Sequence, residues 1–242
     1  MRTLGKVVAI VGLLAIGLWV FVSTTWPSYT FRYRLICDIE VDGQSHTGSS
    51  VFEVTWQTEP AMSASRWSIQ VEGDAVVVDL GNHGALLIPN RWVQTKEPSG
   101  APMPYVAFWA FKDQLPPFSR GTFTQQALKA LLRVHGIEKL DADDLPEFVW
   151  LKDINDPNSA QIITPNKFSQ VIGGGARLVS LSVETTDEKP TRHSLSSRLP
   201  WFDAMLEKER LESQNPQHHL QYGRVYQPYQ LRAGDLIGPL GN

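Results

Sequence analysis

Phe31–Val41 reads FRYRLICDIEV, and its alternation decides the fold. Phe31, Tyr33, Leu35, Cys37, Ile39 and Val41 alternate with Arg32, Arg34, Ile36, Asp38 and Glu40. Period two over this length marks a strand with one buried face, because successive side chains leave a strand on opposite sides. Asp42-Gly43 supplies a hairpin turn signal, and the polar residues up to Ser50 read as a longer loop. The chain returns through Phe52, Val54 and Trp56, with Glu53 and Thr55 facing out.

Further strands follow at Trp67–Glu72, Val76–Leu80 and Ala85–Ile88, separated by Gly73-Asp74 and by Gly81-Asn82-His83-Gly84. Connections this short predict an antiparallel meander of five strands, since parallel neighbours need long crossovers. A proline- and aromatic-rich stretch, Pro89–Pro117, contains one predicted strand at Tyr105–Phe111. Ala127, Leu128, Leu131 and Val134 share a helical face over Thr124–His135, with Thr122 or Thr124 as cap and Gly136 as stop. A strand at Glu147–Leu151, a helix at Thr164–Ile172, a strand at Arg177–Glu184 and a charged helix at Pro200–Ser213 complete an α+β domain, mainly antiparallel with two or three short helices. Residues 1–27 are expected to be a membrane anchor, 28–213 the domain, and 214–242 a disordered tail rich in histidine, glutamine, glycine and proline.

The anchor rests on an uncharged run. Arg2 and Lys6 precede Val7–Trp26, in which no residue is charged. About 20 helical residues cross the roughly 30 Å hydrocarbon layer, and Trp26 and Tyr29 fall where interfacial aromatics belong. A cleavable signal would need a shorter apolar run and small residues before the cut, which Val22-Ser23-Thr24 supply poorly. The basic flank favours a cytoplasmic N-terminus. The expected location is the bacterial inner membrane, single-pass, with the domain in the periplasm.

The 242 residues carry 22 basic and 25 acidic side chains, a net charge of −3. Without Arg2 and Lys6 the balance is 20 against 25, or −5. An acidic domain releases few counterions from a phosphate backbone, which argues against nucleic acid as a partner. Cys37, the single cysteine, has no second thiol to pair with, and its strand position suits a buried hydrophobe.

The stretch Asp153–Trp201, with DINDPNSAQIITPNKF, GGGARLVSLSVETTDEKPT and LPW, resembles a family of uncharacterised, membrane-anchored proteobacterial proteins. TGSSVFEV, Thr47–Val54, is similar to that family's first hairpin. The resemblance covers about a third of the chain by its motifs. It implies a bacterial source and an N-terminal helix, and carries no functional residues over.

Asp153, Asn155, Asp156 and Asn158 place oxygen ligands of the type Ca²⁺ takes in one short loop, making Asp153, Asn155 and Asp156 the candidate metal residues. The same residues build Asx turns, and no EF-hand glycine and distal glutamate follow. Gly173-Gly174-Gly175 before Arg177 has the composition of a phosphate cradle, but it lacks the P-loop lysine and follows a helix, as a C-terminal cap does. The six histidines show no zinc-helix spacing, and Ser49 and Ser50 no nucleophile elbow. Catalytic residues therefore stay unassigned. Three classes remain: a membrane-tethered binding or assembly module contacting another envelope protein through its sheet or aromatic loops, an envelope hydrolase, and a Ca²⁺-stabilised structural domain.

Overall fold

A computed structural model describes residues 27–58, 67–90, 103–118, 124–213 and 233–237, together with Gly12 and Gly17. The apolar run 7–26 otherwise lies outside the described residues, as do Trp92 and most of 214–242. Among the described residues no helix is long and apolar enough to cross a membrane.

The alternating stretch extends to a strand of 14 residues, β1 (Ser28–Val41), with every odd position from Tyr29 to Val41 buried. β1 pairs along its whole length with β2 (Gln44–Thr58). The turn between them has only two residues, so the longer loop expected up to Ser50 is overturned. Asp42 and Gly43 have φ of 52° and 73°, the left-handed pair that joins two twisted strands tightly. Gln44–Ser50 hides its strand character because Gln44 is exposed and His46 half-buried, while Gly48 and Ser50 lie against the chain around β4. A Cβ on Gly48 would lie 2.3 Å from Val77 O, and Ser50 Oγ donates to Asp74 O at 2.6 Å. At these two positions backbone occupies the room that apolar side chains would take, so no apolar alternation is written there.

The expected five-strand meander splits into two sheets. β3 (Trp67–Glu72), β2, β1, β9 (Arg177–Thr185) and β6 (Ile137–Lys139) form the first in that order. β4 (Val76–Asp79), β5 (Ala85–Ile88), β7 (Phe148–Leu151) and β8 (Ala160–Ile163) form the second. All pairings are antiparallel. The break falls at Gly73, whose φ of 131° turns the chain out of the first sheet. A Cβ there would sit 2.6 Å from Val51 O, so only glycine passes.

Tyr105–Phe111 is helical, not a strand: α1 (Val106–Ala110) follows a 3₁₀ turn at Met103–Tyr105. A short apolar run bears either period, and here Ala107, Phe108 and Phe111, spaced three and four apart, all turn inward. Phe108 meets Trp56 edge-on at 5.5 Å between ring centres. α2 (Gln125–Leu131) is capped by Thr124, whose hydroxyl accepts from the Ala127 amide at 3.1 Å. α3 (Phe168–Val171), α4 (Leu195–Arg198) and α5 (Phe202–Ser213) are short. One turn of helix, α6 (Ala233–Leu236), lies within the stretch read as a disordered tail.

Two apolar layers result. Tyr33, Leu35, Phe52 and Trp56 of the first sheet pack with Val76, Val78, Leu86 and Phe148 of the second. The other face of the second sheet, through Val77, Leu87, Val149 and Leu151, is covered by Leu195, Leu199, Phe202 and Leu236. Burial on both faces explains why β5 and β7 read as unbroken apolar runs. The outward face of the first sheet is polar, with cross-strand ion pairs Arg32–Glu53, Arg34–Glu184 and Arg177–Glu40.

Candidate functional site

The turns at one end of the two sheets converge, and they carry most of the motifs the sequence singles out. Asp42 and Gly43 end β1, a 3₁₀ turn at Gly81–His83 links β4 to β5, and Gly173–Gly175 leads into β9. His83 is the link. Its Nε2 lies 2.8 Å from Asp42 Oδ2 and its Nδ1 3.2 Å from Ile172 O. Both ring nitrogens face acceptors, so the imidazolium, which donates from both, suits the site better than either neutral tautomer. The hydrogen bond that His83 donates to Asp42, and then that to Ile172 O, push its pKa above the ordinary value, against a smaller effect of burial.

The triple glycine serves this junction. Gly174 O accepts from the Asp42 amide at 2.7 Å, and a Cβ on Gly174 would lie 2.6 Å from Asp42 Oδ1. Gly173, Gly174 and Gly175 all have positive φ, as a helix end with a tight reversal demands. The glycines thus hold a carboxylate-bearing turn, and the helix-end reading of them stands.

Two indoles tie the neighbouring loop in. Trp150 Nε1 donates to His83 O at 2.8 Å, and Trp201 Nε1 to Ile154 O at 2.9 Å. Gly84 packs so closely on β7 that a Cβ would be 2.0 Å from Leu151 O. The loop carrying Asp153, Asn155 and Asp156 therefore leaves β7 beside the His83 turn. Within it, Asp153 Oδ1 accepts from Asn155 N at 2.9 Å and Asn155 Nδ2 at 3.2 Å. Asp156 Oδ1 accepts from Asn158 N and Nδ2, both at 2.9 Å. Ser159 Oγ closes the loop on Asp153 O and Asp156 O. These are Asx turns, and each carboxylate already has one oxygen engaged. Among the described residues no three His, Cys, Asp or Glu side chains group as metal ligands do.

The other candidates are dispersed. His135 and His193 are exposed, His46 Nδ1 lies 2.8 Å from Asp79 O, and His218 and His219 fall outside the described residues. Ser49 faces out and Ser50 is buried. Cys37 is fully buried, and burial followed by the Asp38 charge pushes its thiol far up, which keeps it protonated and unreactive. A depression of about 420 Å³ at the β6 edge is lined by Trp109, Lys112, Asp113, Ile137, Lys139 and Asp141. Hydrogen bonds from Lys112 to Asp141 and then Asp144 raise its pKa and favour its charged form. No family model, curated protein or solved structure matches this chain.

The His83–Asp42 pair escaped the sequence reading, which had only two turn residues 41 positions apart. In an uninterrupted meander those two turns would fall at opposite ends; the switch of sheets at Gly73 brings them to the same one.

Proposed function

We propose that the chain is a membrane-tethered binding or assembly module of the bacterial periplasm, held by residues 7–26 and working through protein contacts at the His83 loops. The supporting observation is β1 itself. It starts at Ser28, two residues beyond the apolar run, and continues unbroken to Val41 beside the Asp42 turn. Fourteen residues at roughly 3.3 Å each carry the chain about 45 Å. A helix in the membrane would therefore hold the base of the sheet at the lipid surface and present the loop cluster at the far tip. Loops on a rigid scaffold are where contacts with partners concentrate.

The test has two parts. The chain should resist carbonate extraction, and a phosphatase fused after Asn242 should be active in the periplasm. A photo-reactive residue in place of Asn82, exposed at the tip, should then form a discrete adduct with an envelope protein, while one in place of Thr30 should not. Release of a chain starting near Thr25, an inactive fusion, or equal adducts from both positions would count against the proposal.

A further inference from the structure

We propose that the back of the second sheet carries a peptide-binding groove, filled here in cis by the chain's own C-terminal segment. This groove lies at the opposite end of the β4–β5 hairpin from His83, where Ala75 precedes β4 and Asn90 follows β5. The Ala75 amide donates to Leu236 O at 2.7 Å and the Asn90 amide to Asp235 O at 2.9 Å. Leu236 is fully buried in the cluster of Ala75, Val77, Leu87, Leu195, Leu199 and Phe202, and Ile237 packs at its rim.

Two main-chain hydrogen bonds and one aliphatic anchor form the usual pattern by which a domain holds a short peptide. The amides donate to main-chain oxygens whatever the sequence; the pocket selects the branched side chain at the anchor. Asn90 adds an unused group. It is 2% exposed, its Nδ2 donates to Gly73 O, and its Oδ1 has no partner among the described residues. A buried acceptor beside the amide that reads Asp235 fits a site built to hold further peptide donors. The described residues of the segment, 233–237, join no ladder of either sheet. The class of ligand is a short peptide with a Leu or Ile anchor in the place of Leu236.

Hydrogen exchange on the full chain in detergent tests this. If the segment docks reversibly, the Ala75 and Asn90 amides should exchange at least about tenfold faster than the β5–β7 ladder amides, because local release needs less than global unfolding. A free peptide of residues 231–242, added in excess, should slow both amides, and the same peptide with Leu236→Ala should not. Leu236→Asp in the full chain should strip protection from Ala75 and Asn90 while the ladder keeps its own. Exchange of Ala75 and Asn90 only with the ladder, an inert wild-type peptide, or global loss of protection in Leu236→Asp would each make the segment an integral part of the core and overturn the proposal.

Discussion

His83 Nε2 and Asp42 Oδ2, 2.8 Å apart, join the turn of the β1–β2 hairpin to the turn of the β4–β5 hairpin, and so tie one sheet to the other at the loop end. His83 gains this partner only on folding, and its folded pKa is raised. Its contribution to stability is therefore fully present below the unfolded value of about 6.5 and is lost as pH rises through the higher folded value. Asp42→Asn keeps a residue tolerant of positive φ but removes the charge. The urea midpoint of the wild-type chain should exceed that of Asp42→Asn at pH 6, and the gap should narrow by pH 8.5. A gap that widened with pH would reverse the assignment.

Trp56 is 1% exposed and packs edge-on against Phe108. Trp56→Ala should cost about 3–5 kcal/mol by the measure of large core truncations. His135→Ala, on an exposed side chain, should stay within about 0.5 kcal/mol. Equilibrium urea unfolding of both variants compares them directly.

Gly48 is where β2 crosses the backbone of β4. Gly48→Ala would place a methyl carbon 2.3 Å from Val77 O and 2.9 Å from Val78 Cγ2, so the sheets must part. A loss of about 1–3 kcal/mol is expected, as for other overpacked sites. A melting temperature equal to wild type would show that the sheets approach less closely than this.

Thr124→Ala removes the hydroxyl that accepts from the Ala127 amide. About 1 kcal/mol should be lost, and Thr124→Ser should recover most of it. The pair separates capping from packing.

For the loop at Asp153, two outcomes distinguish cap from cation. If the carboxylate serves the turn alone, melting curves in excess calcium and in chelator coincide. A bound ion at 100 times its dissociation constant would add about 2.7 kcal/mol, which Asp153→Asn and Asp156→Asn would remove.

The fold was legible where side chains fill space. β1, the inner half of β2, β9 and the Thr124 cap follow from alternation and capping chemistry, which are local. The first half of β2 was not, because at Gly48 and Ser50 its buried face meets backbone and polar atoms. Tyr105–Phe111 misled because an all-apolar heptamer has no polar side to set a period. Of the candidate site, the Asx turns and the glycine helix end were readable as local geometry, while the clasp across 41 residues was not.

The sequence by itself determined which residues face inward on β1 and where the chain turns, since pleat parity and left-handed turn residues act within a few positions. Only the tertiary structure decided that the strands part into two sheets at Gly73, that Leu236 returns to close the back of the second, and that His83 finds Asp42. Those outcomes depend on which surfaces meet when the apolar faces are buried together, and no local pattern carries that information.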